Sequence, residues 1–367
     1  YDENNQPKYQ MPLTSSQLSN LQGANYNYTC AGCHITGIRA IEKTKAGEWR
    51  IRPNPAVLFT SNDPNYFDLD RDGIFDMVNI GCESCHGPGG LHIAGGGDET
   101  KIINPDEYDT QFANDICGRC HARSKSLPNK TFNWPYDDAN MVDWYPGIGL
   151  PLSQFMVDNS TYWPDGETPK TSRPYTEFYK SSKPTFQFHQ VRCYECHSVH
   201  YISQEAQIRP SIKDGDLTIP TKVEDNTLCL ACHATHGEFS SITKEMVANY
   251  EENKDIIGKI VEEHTKHPYA PERIMGLSRC TFCHMANYPG HPSHTFKVVP
   301  PEKTINYQAQ GGMPNACALS CHGTKVDIFG IGIDPNPSQW NDPFDVLLAS
   351  HLQEYFGPDG KWWKTGE

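Results

Sequence analysis

All fourteen cysteines of the 367-residue chain fall into seven short clusters, and each cluster ends in a histidine. Six read Cys-x-x-Cys-His: Cys30, Cys33 and His34; Cys82, Cys85 and His86; Cys117, Cys120 and His121; Cys193, Cys196 and His197; Cys229, Cys232 and His233; Cys280, Cys283 and His284. The seventh, Cys317, Cys321 and His322, has one extra residue between its cysteines. Two thiols at this spacing add across the two vinyl groups on one edge of a porphyrin, and the next residue presents an imidazole to the iron, which is the attachment pattern of c-type haem. A single copy would equally suit half a zinc site or a redox dithiol. Seven copies with no cysteine left over point to seven covalently bound haems, with the seven trailing histidines as proximal ligands.

Nine histidines remain for the opposite faces: His92, His189, His200, His236, His264, His267, His291, His294 and His351. A chain of this length would carry about eight histidines in all at ordinary composition, whereas this one has 16. The nine are therefore candidate distal ligands for seven irons, two of them surplus. His200 and His236 each follow a proximal histidine by three residues, too close to turn back onto the same iron, so each is expected to serve a neighbour. Bis-histidine ligation fills both axial positions, excludes substrate, and keeps the potential below that of a Met-ligated haem. Met77, Met285 and Met313 lie near attachment sites as the alternative axial donors.

The elements needed to hold these residues are sparse. Gly and Pro number 29 and 28, and only 37% of residues are hydrophobic, so buried porphyrins are expected to replace much of a side-chain core. The fold class that follows is mostly irregular with scattered α-helices, little β, and haems as staples. A single haem-organised domain over residues 1–367 is expected, with an aromatic-rich insertion at about 123–190 that includes Trp134, Tyr136, Trp163, Tyr175 and Phe178. Those aromatics suit packing over haem edges or a binding interface. Successive sites start 52, 35, 76, 36, 51 and 37 residues apart, a pattern that hints at a duplicated three-haem unit around Cys193. One helix is expected from Thr243 to Lys266, with Ile242, Met246, Tyr250, Ile257, Val261 and His264 on one stripe and Pro268 ending it. Another has Asp342 as N-cap, Pro343 at its first position and Gly357 as its stop, with Phe344, Leu347, Leu348, His351, Leu352 and Tyr355 as its apolar side.

The formal charge of −14 disfavours nucleic acid and anionic membrane as partners and favours basic redox proteins or mineral and metal surfaces. No run of about 20 apolar residues could span a bilayer. Because c-type haem is attached outside the cytoplasmic membrane, an export signal is expected to have been removed, leaving an extracellular, cell-surface or periplasmic protein. Asp68, Asp70, Asp72 and Asp76 follow the first half of an EF-hand-type loop, with Asn79 in place of its final Glu, and form a candidate site for one calcium ion.

The stretch Cys82-x-x-Cys85-His86-Gly-Pro-Gly-Gly-x-His92 resembles a motif of the multihaem cytochrome superfamily that includes cytochrome c554 and the octahaem hydroxylamine oxidoreductase group. The resemblance implies that His92, just after the Gly-Pro-Gly turn, is a distal ligand to another haem. Seven haems differ from the four and eight of those relatives, and also resemble the extracellular cytochromes that polymerise into conductive filaments. Two functions follow. One is an electron carrier of extracellular respiration that relays electrons to other redox proteins or extracellular acceptors. The other is an oxidoreductase acting on a small nitrogen or sulfur compound at one open haem, although the Cys-x-x-Cys-Lys of the pentahaem nitrite reductases is absent. Since no histidine precedes Cys30, its haem must take a distal ligand from far along the chain or from another subunit. Head-to-tail self-association is therefore expected, with His351 the leading candidate at the junction.

Overall fold

The computed structural model describes residues 26–45, 47–55, 76–141, 149–170, 173–182, 187, 190–200, 205–269, 278–288, 291–323, 339–357 and 359–361. Short helices and irregular chain dominate, and the described strands form four two-stranded antiparallel ribbons. This is the sparse, mostly helical and irregular fold that the composition implies. The chain clusters into two compact units, residues 1–159 and 160–367, and their boundary falls inside the aromatic-rich interval. Among the described residues no helix is long and apolar enough to cross a membrane.

In the first unit the ribbon Ile38–Lys43 with Trp49–Pro53 packs beside a cluster built from the insertion. Phe132, Trp134 and Tyr136 are buried against Ala31, Ile35, Ile38, Ile41 and Ile51. Ring centroids lie 4.8 Å apart for Phe132 and Trp134 and 5.2 Å apart for Trp134 and Tyr136, separations at which aromatic pairs add about 0.5–1.5 kcal/mol beyond area burial. These aromatics pack on the turn of the first cysteine cluster, with the Trp134 indole directly over Gly32. Asp138 ties the same segment together, accepting from Ser126 Oγ at 2.7 Å, Asn129 N at 2.7 Å and Thr131 N at 2.8 Å.

In the second unit the helix expected from Thr243 to Lys266 is two helices, Lys244–Ala248 and Tyr250–Thr265. Asn249 breaks it: its backbone leaves the helical region at φ −106° and ψ 48°, and its side-chain amide donates to the Glu245 carbonyl. Short polar side chains compete in this way with the helix's own hydrogen bonds. Of the expected stripe, Ile242, Tyr250, Ile257 and Val261 are buried, whereas Met246 and His264 are half-buried and Val247 is buried in place of Met246. Lys266, at φ +56°, ends the second helix in the left-handed region just before Pro268.

The last helix, Pro343–Gln353, has the expected cap: Asp342 accepts from the backbone N–H groups of Phe344 and Asp345. Its expected inward side needs correction. Asp345 and Ala349 are buried, whereas Phe344 and Leu347 are 51% and 68% exposed and His351 is exposed. Asp345 also reaches back to the Asp342 N–H, completing a capping box.

Candidate haem-binding sites

Six of the cysteine clusters lie on α-helical turns: Ala31–His34, Glu83–His86, the C-terminal end of Thr110–His121, Cys193–Cys196, Thr227–His233 and Cys280–His284. Positions i, i+3 and i+4 of a helix share a face, so the two thiols and the imidazole point the same way. The seventh cluster needs a wider turn for its extra residue and has one, a π-helical turn over Ala318–His322. The Gly323 N–H donates to the Ala318 carbonyl five residues back, at 2.7 Å. Cys317, Cys321 and His322 are thereby brought to one face with a different step, the kind of local π geometry found at functional sites.

The histidines are prepared at their other nitrogen. Nδ1 donates to a backbone carbonyl in His86 (Ile103, 2.7 Å), His92 (Asp98, 2.8 Å), His197 (Ala206, 2.8 Å) and His236 (Ala234, 2.8 Å). The same holds for His267 (Thr265, 2.7 Å), His284 (Phe296, 3.1 Å) and His294 (Pro292, 3.0 Å). A carbonyl only accepts, so Nδ1 carries a proton, and in the neutral ring this leaves the Nε2 lone pair free, which is the tautomer a metal ligand requires. His264 differs, its Nδ1 meeting the Glu238 carboxylate.

Two candidate distal residues face proximal ones. His264 and His284 have centroids 6.4 Å apart with planes 10° from parallel, and His197 and His294 lie at 6.2 Å and 29°. His267 neighbours His322, whose imidazole is pushed toward the neutral form by burial and then by that neighbour. The buried Glu177 carboxylate accepts the His294 N–H at 2.6 Å, a positioning contact that the sequence pattern did not reveal. His92 sits on the short helix Gly90–Ala94, reached through Gly87, whose φ of +68° favours glycine.

Other candidates are placed less tellingly. His200 is exposed, His351 meets the Tyr355 ring at 5.4 Å, and His291 lies in the two-residue strand His291–Pro292. His189 and the calcium candidates Asp68, Asp70 and Asp72 lie outside the described residues, and Asp76 is buried. Among the described residues no three His, Cys, Asp or Glu side chains converge as a metal cluster would need.

Thiols of different clusters do meet. In the first unit Cys33 hydrogen-bonds with Cys120, which with burial raises the Cys120 pKa well above the usual thiol range. Cys85 is pushed up to about 11 by burial and then by Cys117 and Cys120. In the second unit Cys196 is pushed up to about 12 by burial and then by Cys229 and Cys232. Cys229 is raised by its hydrogen bond with Cys280 and then by burial. Cys283 is pushed up to about 12 by burial and then by Cys317 and Cys321. The neighbours therefore run second, third, first in residues 1–159 and fourth, fifth, sixth, seventh in residues 160–367. Thiols held this neutral are poor thiolate ligands or redox nucleophiles.

No family model matches the chain. A 159-residue stretch is 24% identical to the multihaem cytochrome MtrA of Shewanella baltica, covering 43% of each protein. Among solved structures, the outer cell wall cytochrome OcwA aligns over 82% of this chain and 61% of its own, at 24% identity and a TM-score of 0.42. The undecahaem cytochrome from the S-layer of Carboxydothermus ferrireducens aligns over 85% of this chain and 46% of its own, at 18% identity and a TM-score of 0.34. The chain is similar to multihaem cytochromes. It spans less than two thirds of the length of each of these three.

The residues fit covalent haem on chemical grounds. Each attachment turn offers two thiols and an imidazole on one face, and the described ring hydrogen bonds aim Nε2 nitrogens away from the backbone.

Proposed function

We propose that the chain is a heptahaem c-type cytochrome that carries electrons along a row of bis-histidine haems in extracellular electron transfer. The observation that carries this reading is the near-parallel pair His264 and His284, 6.4 Å apart. Two imidazoles bound on opposite sides of one metal would have centroids about 6 Å apart, given bonds of ~2 Å and about 1 Å from each nitrogen to its ring centre. Haem supplies one-electron iron chemistry when bound. The chain's residues do the rest: thiols fix each porphyrin edge, imidazoles close both axial positions, and the Nδ1 hydrogen bonds hold the imidazole planes. His92, His236, His264, His267 and His294 are the distal ligands this arrangement favours.

With both axial positions filled no iron is left for a substrate, so transfer to other redox proteins or extracellular acceptors is the function rather than turnover. Self-association head to tail is supported by the exposed Phe344 and Leu347 on the helix that also carries His351. Carbon monoxide binding to the reduced protein tests the carrier reading. Almost none is expected at neutral pH, and one rapidly bound equivalent would replace it with the enzyme reading. Electron microscopy of the native protein tests assembly, since discrete particles at every concentration would overturn the filament.

A further inference from the structure

His264 lies in the last turn of the helix Tyr250–Thr265, and its partner Glu238 lies in the short 3-10 turn Gly237–Phe239. That turn is tied down locally: the Phe239 N–H donates to the His236 carbonyl, and the Thr235 N–H donates to the carbonyls of Phe239 and Ile242. The Phe239 ring also meets the His264 ring edge-on, with centroids 5.1 Å apart. Glu238 is thus presented to the imidazole from a braced loop, although 63% of its side chain is exposed.

Seven other described histidines give the same nitrogen to a neutral carbonyl. A carboxylate acceptor forms a charge-assisted hydrogen bond roughly twice as strong. It draws the Nδ1 proton toward itself, makes Nε2 a more basic donor to a metal, and adds a negative charge close by. The helix C-terminus contributes a partial negative charge in the same direction. Each effect favours ferric over ferrous iron, because hydrogen bonding and net charge set haem potential.

We propose that Glu238 is a positioning residue that lowers the potential of the sixth haem, the one attached at Cys280 and Cys283. This inference rests on the ligation proposed above, with His264 and His284 on one iron. The sixth attachment site neighbours both the fifth, through Cys229 and Cys280, and the seventh, through Cys283, Cys317 and Cys321. The haem so tuned is therefore interior to the row, between the fifth and the seventh.

The test is spectroelectrochemical titration with electron paramagnetic resonance on the purified holoprotein and on Glu238→Gln, Glu238→Asp and His264→Ala. Glu238→Gln keeps the size and removes the charge. One of seven one-electron components should move to higher potential and one low-spin ferric signal should shift, while Glu238→Asp stays close to the parent. Unchanged potentials and signals in Glu238→Gln, with seven haems bound, would overturn the role of Glu238. His264→Ala separates that result from failure of the ligation. One high-spin, carbon monoxide-binding iron upholds the axial assignment, whereas seven low-spin irons would overturn the assignment and this inference with it.

Discussion

The Trp134 indole lies so close over Gly32 that a Cβ at position 32 would fall 2.2 Å from its Cδ2. Residue 32 sits between the two cysteines of the first attachment turn, so the aromatic insertion constrains the sequence of the motif it covers. Gly32→Ala should cost about 1–3 kcal/mol, the usual penalty of overpacking. Denaturant unfolding of the holoprotein measures this, and the axial ligation of the first haem should be lost at lower denaturant than in the parent.

The pair His197 and His294 gives a second prediction. His294→Ala should open one iron of seven, seen as one equivalent of carbon monoxide bound by the reduced protein. Glu177→Gln keeps an acceptor for the His294 N–H, so it should leave haem content intact and perturb only the spectrum of that haem.

The π-helical turn at Ala318–His322 leads to a count. Intact mass after denaturation should equal the chain plus seven haems, and the double variant Cys317→Ala with Cys321→Ala should carry six. Six in the parent would mean that the widened turn does not attach haem.

Asp138 gives the pH dependence. Its burial alone would raise its pKa, but the donors Asn129 N, Ser126 Oγ and Thr131 N outweigh this and hold it below the usual carboxylate value. A depressed folded pKa contributes stability that is present above the unfolded value, about 3.9, and lost as pH falls through the folded value. Asp138→Asn should therefore lower stability near neutral pH by about 1–3 kcal/mol and flatten the decline on the acid side. Parallel slopes for parent and variant below pH 4 would contradict the assignment.

The cysteine–histidine clusters were legible in the sequence because their pattern is local: three side chains within five or six residues define each one. The stripe from Ile242 to Val261 was legible for the same reason, since helical periodicity repeats over short range. The break at Asn249 was not, because a single polar side chain competing for one carbonyl leaves no periodic trace. Nor were Glu238 and Glu177, which meet their histidines across 26 and 117 residues of chain through tertiary packing alone. The inward side of the last helix was misread because tertiary packing, which leaves no trace in the apolar pattern, buries Asp345 and Ala349 instead of Phe344 and Leu347. The order second, third, first in residues 1–159 likewise depends on which thiols meet, and chain order does not contain it.

The meeting of Cys33 with Cys120, and of Cys229 with Cys280, bears on the protein's biogenesis. Outside the cytoplasmic membrane, thiols brought together by folding are liable to couple as disulfides. A chain that folded before receiving its porphyrins would cross-link separate motifs and block attachment at four of the seven sites. If the chain carries haem as proposed, maturation is expected to proceed on an unfolded chain, with thioether formation running ahead of collapse. Peptide mapping of chain folded without haem and then oxidised should recover these two cross-links in preference to pairs within a motif.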